Sequence, residues 1–206
     1  MLAKKIGIAL GLVLTVCVLG IAAQVVHRRQ MAQAFLAEAT ALQLRVSTLA
    51  QIQSLAARYG GQIDPSTCDA SGCSYFFRFD NGWLHRLWLA PYMRLTCTLG
   101  SENGVLVYRR AILISGNGAS HGAFVEEWLD YPKGIKGLPH VEEPFDIRRQ
   151  TADVVGGRRW RVFVMLTADA TPEQHRVAYN LNAGCLSRIG GCQDAQQLLP
   201  TIRWSQ

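Results

Sequence analysis

Several motifs that mark familiar enzymes are missing from this chain of 206 residues. It has no Gly-x-Ser-x-Gly sequence, which excludes the nucleophile turn of the α/β-hydrolases. Its histidines form no His-Glu-x-x-His or His-x-His pair, so the common zinc-binding patterns are also absent. We therefore predict no catalytic residue, no cofactor and no metal ligand. An enzyme with an unrecognised site stays an alternative, and it would need a deep pocket in which His85, His121 or His140 meets a carboxylate.

Charge is missing from a long stretch near the N-terminus. No charged residue occurs between Ile6 and Val26, and no acidic residue precedes Glu38. A helix rises about 1.5 Å per residue, so this run covers roughly the 30 Å of a bilayer's hydrocarbon core. The sequence predicts a short tail (residues 1–5) and one transmembrane signal anchor (Ile6 to Val26). Strong cations flank the anchor at Lys4, Lys5, Arg28 and Arg29.

A cleaved signal peptide is the alternative to an anchor. Signal peptides have an apolar core of about 7–15 residues and a cleavage site with small residues. This core is longer, although Gly20-Ile21-Ala22 resembles a weak site. Val16 occupies the position before Cys17 where a lipidation box needs a small residue. We therefore favour an uncleaved single-pass anchor without a lipid-modified cysteine.

The net charge of +6 gives no reason to expect nucleic acid as a partner. Four of the 21 Lys and Arg residues flank the apolar run. The rest of the chain contains the other 17 and all 15 acidic residues, so its net charge is 17 − 15 = +2. Cations next to a membrane span are ordinary. We predict no nucleic-acid partner.

Cysteine spacing indicates an oxidising compartment. Cys68 and Cys73 form one close pair, and Cys185 and Cys192 form a second. Each pair can close a small loop as a disulfide, which favours an extracytoplasmic domain, periplasmic or extracellular. Zinc ligands, unrelated thiols and bridges between the two pairs remain alternatives. The thiol of Cys97 lies on the apolar side of its strand and is expected to be buried.

An amphipathic helical stalk is predicted for residues 27–61. Its apolar residues recur at spacings of three and four, and Gly60-Gly61 provides a C-terminal cap. Ser47 and Thr48 mark a break within it. The stripe predicts either packing on the domain's own sheet, which we favour, or a homo-oligomer through the stalk. Its members are Phe35, Ala39, Leu42, Val46, Leu49, Ile52 and Ala56.

From Ser74 the apolar period changes to two, which predicts strands. Asn-Gly dipeptides between alternating runs are strong hairpin signals, and they indicate an antiparallel meander. Glu126 and Glu127 share one strand, so they should point to opposite faces. The predicted strands are Ser74 to Phe79, Trp83 to Leu89, Arg94 to Leu99, Val105 to Ser115, Ala123 to Leu129 and Arg158 to Leu166.

The remaining segments complete the predicted domain, residues 62–206. Three prolines interrupt Asp130 to Val155, so residues 130–157 are expected to form a Pro/Gly-rich excursion. Thr171-Pro172-Glu173-Gln174 carries a helix start signal, and Val177, Leu181 and Cys185 follow at intervals of four, which predicts a helix from Thr171 to Cys185. Asp194 to Leu199 suggests a last helical turn. The fold prediction is α+β: an antiparallel β-meander of five or six strands with C-terminal helices packed on one face.

A cluster of arginines is the strongest candidate contact site in the sequence. Cations gathered in this way contact anionic lipid headgroups or an acidic partner, whereas a solvated hairpin rim is the simpler interpretation. The members are Arg148, Arg149, Arg158, Arg159 and Arg161. The predicted function is a membrane-anchored extracytoplasmic binding or scaffold module of the cell envelope, which holds a protein partner through the sheet face or the excursion. The alternatives are the enzyme and a stalk-mediated oligomeric envelope protein.

Overall fold

The computed structural model describes residues 2–69, 71–116, 121–129, 145–154 and 157–202, with the side chains of residues 2–9 and 152–159 outside the description. Five helices lie in this part of the chain: α1 (Leu2–Ala41), α2 (Leu49–Tyr59), α3 (Gly82–Arg86), α4 (Pro172–Ala178) and α5 (Ala195–Leu198). The strands are β1 (Gln62–Asp64), β2 (Gly72–Asp80), β3 (Met93–Glu102), β4 (Val105–Ser115), β5 (His121–Trp128), β6 (Phe145–Val154) and β7 (Gly157–Thr167).

The fold is α+β, with a long apolar N-terminal helix and one seven-stranded sheet in the order β1-β2-β3-β4-β5-β7-β6. Neighbouring strands are antiparallel, apart from β5 and β7, which are parallel. The sheet has one or two strands more than the predicted five or six, and the parallel pair departs from the predicted antiparallel meander. Two strands were not predicted: β1, and β6, which lies inside the predicted excursion and pairs with β7 from Phe145↔Leu166 to Val154↔Gly157.

The alternating pattern of Trp83 to Leu89 had predicted a strand, but this segment does not form one. Residues Gly82–Arg86 form α3, and the chain then turns back into β3. Asn81 makes this connection compact, because its side-chain amide donates to the carbonyl of Pro91 and its oxygen accepts from the backbone N–H of Met93. The Asn103-Gly104 turn, by contrast, is confirmed between β3 and β4, and both residues have positive φ, at 50° and 78°.

Helix α1 is continuous from Leu2 to Ala41, and its second half packs on the sheet. Phe35 is fully buried, with its ring 4.4 Å from that of Phe77 and 5.3 Å from that of Phe79. Ala32 and Ala39 are also buried beside it. The apolar stripe of the predicted stalk therefore belongs to the core of the domain. Val46 is the exception, since it lies in the connection to α2 and is exposed.

Two helix starts follow the sequence signals closely. Thr48 caps α2 and Thr171 caps α4, each through a capping box with the glutamine three residues later. Gly60 ends α2 with a φ of 70°. The helix predicted to run from Thr171 to Cys185 is shorter, because α4 ends at Ala178 and Ala183–Leu186 form a separate 3-10 turn.

Both close cysteine pairs are disulfides, Cys68–Cys73 and Cys185–Cys192. The first bridges the segments before and at the start of β2. The second fastens the 3-10 turn beside α1 to the segment that leads into α5. Cys97 is a free and fully buried thiol on β3, and burial raises its pKa to about 12, so it is a structural group as expected.

One helix of the described chain, Leu10–Ala41, is long and apolar enough to cross a membrane, with a mean hydropathy of 2.1 over an 18-residue window. Large apolar side chains between Leu10 and Leu19 are mostly exposed, with 57–72% of their surface accessible. A helix of this kind fits a membrane anchor or a signal sequence. Together with the two disulfides, it is consistent with an anchored extracytoplasmic domain.

Candidate functional site

A cavity lies at the end of the domain where α1 finishes, and we name it the distal cavity. It has a volume of about 770 Å³, and its walls come from the last turn of α1, the residues after it, the segment after β7, and α4. Cavities of roughly 300–1,000 Å³ are typical of small-molecule sites. Its polar lining side chains are Thr40, Gln43, Glu127, His175, Arg176, Tyr179 and Asn180.

A buried ion pair between Arg109 and Glu127 adjoins this cavity. The two residues face each other on β4 and β5, and their side chains are 1% and 2% exposed. The Arg109 Nε atom donates to Glu127 Oε2 over 3.0 Å, and the Nη2 atom donates to the same oxygen. An uncompensated charge at this depth is strongly unfavourable, so each partner depends on the other.

Arg109 also binds the end of α1. Its Nη1 atom donates to the carbonyl oxygens of Ala39 and Leu42. The last carbonyls of a helix lack partners within the helix and carry the negative end of its dipole, so a buried guanidinium stabilises them. Arg109 thereby joins the far end of α1 to the centre of the sheet.

Tyr179 packs against both members of the pair. The guanidinium of Arg109 lies 4.4 Å from the centre of its ring, and its hydroxyl donates to Glu127 Oε2 over 3.2 Å. Burial raises the pKa of Tyr179 well above its ordinary value, and the nearby Glu127 carboxylate raises it further, while Arg109 acts in the opposite direction. The phenol therefore stays protonated and serves as a hydrogen-bond donor.

His175 connects this cluster to the open part of the cavity. Its Nδ1 atom lies 3.7 Å from Glu127 Oε1, and a quarter of its side chain is exposed. The two carboxylate oxygens of Glu127 thus have different partners. Oε2 accepts hydrogen bonds from Arg109 and Tyr179, and Oε1 lies near His175. Both residues line the cavity, and His175 is the more accessible of the two, because the Glu127 side chain is only 2% exposed.

No motif in the sequence indicated this cluster. We expected any histidine that meets a carboxylate to be His85, His121 or His140. His85 instead packs beside Tyr92, His121 stacks on Trp160, and His140 lies outside the described residues. One signal was present in the sequence. If the predicted hairpin is centred on position 118, residues at equal sequence distance on either side are paired. Arg109 then lies opposite Glu127 and Arg110 opposite Glu126, and the observed register has the same pairs.

Glu126 and Glu127 point to opposite faces, as predicted from their positions on one strand. Glu127 faces the helices, whereas Glu126 lies on the other face of the sheet and pairs with Arg110 over 2.8 Å. That second face also carries two aromatic stacks across the strands. These are Tyr108 with Trp128, at 4.1 Å, and Phe124 with Phe163, at 4.9 Å.

The predicted arginine cluster is only partly described. Arg148 pairs with Asp146 over 2.6 Å, and Arg161 lies 6.0 Å from the ring centre of Phe124. Register places Arg148 and Arg161 on the face opposite the helices, and the exposed Arg149 on the other. Arg158 and Arg159 belong to the backbone of β7, but their side chains lie outside the described residues.

Metal binding finds no support in the described part of the chain, where no three His, Cys, Asp or Glu residues come together. No family model, no curated protein and no solved structure matches this chain. The chemistry of the distal cavity and the placement of α1 are therefore the observations on which a function can be argued.

Proposed function

We propose that this protein is a single-pass, membrane-anchored extracytoplasmic binding module whose ligand site is the distal cavity. The single observation that carries the proposal is the arrangement of α1. Its first half is apolar and exposed, and its second half is built into the domain and ends at the cavity. One continuous helix therefore contains the apolar segment at its start and contributes to the wall of the cavity at its end. The cavity lies at the end of the domain remote from the apolar segment.

Binding rather than catalysis is supported by the state of the polar groups. The Arg109–Glu127–Tyr179 cluster is mutually hydrogen-bonded, and the Nη1 atom of Arg109 donates to the end of α1. Preorganised groups of this kind give a cavity a fixed wall. His175, Gln43 and Asn180 remain to form hydrogen bonds with a small polar ligand.

A catalytic role is the second candidate, and the pairing of His175 with Glu127 is the observation in its favour. A histidine oriented by a buried carboxylate is the usual arrangement of a general base. No serine or cysteine lines the described cavity, so such an enzyme would activate water or a ligand proton directly. A protein partner, and a homo-oligomer through the exposed side of α1, likewise remain proposals.

Membrane placement is tested by carbonate extraction and protease treatment of spheroplasts that express the chain with a C-terminal tag. We expect the full-length protein to remain in the carbonate pellet and the tag to be removed in intact spheroplasts. Release by carbonate would contradict the anchor. A protected tag would place the domain in the cytoplasm.

Ligand binding is tested by native mass spectrometry of the full chain purified in mild detergent from its own membranes. We expect an additional mass that is lost on unfolding. Asn180→Trp fills the cavity from an exposed lining position and should abolish that mass. Ser54→Trp, an exposed position on α2 remote from the cavity, is the matched control and should retain it. Equal occupancy in both variants would exclude the cavity as the site.

A further inference from the structure

The connection between β2 and β3 packs against the C-terminal end of the apolar run of α1. Leu84 of α3 and Ala90 after it are buried together with Val25, and Ile21 packs on the same small cluster. This cluster is separate from the main core. The connection therefore lies beside a segment that, in an anchored protein, is surrounded by lipid.

The outer side of this connection is apolar and exposed. It continues into the turn at Ile189, because the backbone N–H of Gly190 donates to the carbonyl of Leu89 over 2.9 Å, and Gly191 lies against Pro91. We name this surface the proximal apolar surface. Its members and their exposed fractions are Trp83 (44%), Leu87 (45%), Trp88 (93%), Leu89 (44%) and Ile189 (72%).

Trp88 shows that the surface does not serve the fold itself. Its φ is 58°, in the left-handed region that costs an L-residue roughly 1–2 kcal/mol and that glycine adopts freely. Because 93% of the side chain is exposed, burial within the domain does not compensate for this cost. Backbone strain combined with an exposed large aromatic is typical of a residue that contacts something outside its own domain.

The depth of the contact on α1 identifies the partner. Ile21 lies five residues before the end of the apolar run at Val26, which corresponds to about 7.5 Å along a helix. Elements that lie in a membrane interface enter the boundary between headgroups and acyl chains by about 5–10 Å. The proximal apolar surface therefore occurs at the level where tryptophan is enriched in membrane proteins.

Charge supports the same partner. Neither residues 81–93 nor residues 183–193 contain an acidic residue, and no acidic residue precedes Glu38. Exposed cations are present instead, at Arg28, Arg29, Arg86 and Arg188. The guanidinium of Arg86 lies 5.6 Å from the ring centre of Trp83. Asp80 and Asp194 directly adjoin these two ranges, and Asp80 is paired with Arg78. Apolar side chains among several exposed arginines suit a lipid interface with anionic headgroups.

We propose that the proximal apolar surface is a second membrane contact, which inserts Trp83, Trp88 and their neighbours into the lipid interface beside α1. This inference rests on the proposed membrane anchoring. It assigns a further role to the domain, which would contact the bilayer both through α1 and through the proximal apolar surface. Two contacts fix the tilt of the domain and the height of the distal cavity above the membrane.

The test uses the full chain reconstituted as single copies in lipid nanodiscs, with tryptophan fluorescence as the signal. Discs are made from lipids brominated near the headgroup end of the acyl chains or from the same lipids without bromine. We expect bromine to quench the wild-type protein at least twofold more, as a fraction of its emission, than Trp83→Leu/Trp88→Leu. That variant removes the two reporters and keeps the surface apolar.

A second variant keeps the reporters and alters the surface. Leu87→Asp/Leu89→Asp should lose most of the bromine quenching and gain quenching by aqueous acrylamide. Ile63→Asp, an exposed apolar position on β1, is the control and should behave like the wild type. Equal bromine quenching in the wild type and the double leucine variant would overturn the proposal. Protection of both tryptophans from bromine and from acrylamide would also overturn it, because protein would then cover them.

Carbonate extraction distinguishes the failure of this inference from failure of the anchor. If the chain stays in the carbonate pellet but brominated lipid does not quench its tryptophan fluorescence, α1 alone anchors the protein and the second contact is contradicted. A chain that carbonate releases rejects the anchor, whatever the tryptophans report. The two results come from the same preparation.

Discussion

Arg109 and Glu127 form an ion pair that connects the centre of the sheet to the end of the only long helix in the described chain. The guanidinium binds the carboxylate on one side and the carbonyl oxygens of Ala39 and Leu42 on the other. The pair therefore fastens α1 at the end remote from its apolar half. A helix held in this way transmits the orientation of the anchor to the cavity.

Arg109→Met should destabilise the domain by about 3–5 kcal/mol, because it leaves the buried Glu127 carboxylate without its partner. The measurement is urea unfolding of the full chain in nonionic detergent. Arg176→Met provides the control, since the Arg176–Glu173 pair is 66% exposed on both sides and water screens it, so its loss should change stability little. Arg109→Met/Glu127→Leu should recover much of the loss. Equal effects at positions 109 and 176 would contradict a structural role for the pair.

Tyr108 predicts a loss of stability at alkaline pH. Burial raises its pKa to about 12, from an ordinary value of 10.0. Between these values the unfolded state releases the phenolic proton and the native state retains it, so the free energy of unfolding falls as pH rises from 10 towards 12. Tyr108→Phe should lessen this decline, while it leaves stability near pH 8 almost unchanged. Urea midpoints measured from pH 8 to pH 11.5 check this, and identical slopes for both proteins would contradict it.

Local signals in the sequence predicted much of the fold. The Asn103-Gly104 turn and the capping boxes at Thr48 and Thr171 depend on neighbouring residues, and each was read from a few positions. The two disulfides also follow from close spacing. The strand prediction for Trp83 to Leu89 was wrong for a physical reason. Its apolar residues occupy two different environments, because Leu84 is buried in a cluster on α1 and Trp88 is exposed.

The distal cavity was not predictable in the same way. Its charged cluster joins residues 109, 127, 175 and 179 with the backbone of α1, so it depends on contacts between segments that lie far apart in sequence. Periodicity placed Glu127 on one face, whereas the register of the β4–β5 hairpin was needed to place Arg109 opposite it. The parallel pairing of β5 with β7 brings the chain after β7 to the cavity, and a meander prediction excludes that arrangement.

The thiols of the protein predict a specific titration. In a Cys17→Ser background, a chain with both disulfides retains one thiol, that of Cys97, which is buried. Ellman's reagent should detect no thiol in the native exported protein, one after unfolding in guanidinium, and five after unfolding with reductant. The native protein should be silent because the buried thiol, with its pKa raised to about 12, holds almost no thiolate near pH 8. Five thiols without reductant would refute the disulfides and weaken the case for an extracytoplasmic domain.

The arginine cluster on β6 and β7 predicts contact with anionic lipid. Replacement of Arg148, Arg149, Arg158 and Arg159 with serine should leave folding intact, because the described members lie at the surface. Each cation near an anionic surface contributes on the order of 1 kcal/mol, so binding should weaken at least about tenfold. The measurement is co-flotation of the full chain, carried in neutral nanodiscs, with vesicles that contain phosphatidylglycerol.

A matched variant separates this contact from a general effect of net charge. It removes the same number of positive charges at exposed positions outside the cluster and should bind the vesicles almost as well as the wild type. The four replacements to serine are at Arg45, Arg58, Arg78 and Arg176. If the two variants lose binding equally, net charge alone governs the attraction, and the β6–β7 arginines form an ordinary solvated rim. If only the first variant loses binding, the cluster is a third point at which the domain meets an acidic surface, distinct from α1 and from the tryptophans at positions 83 and 88.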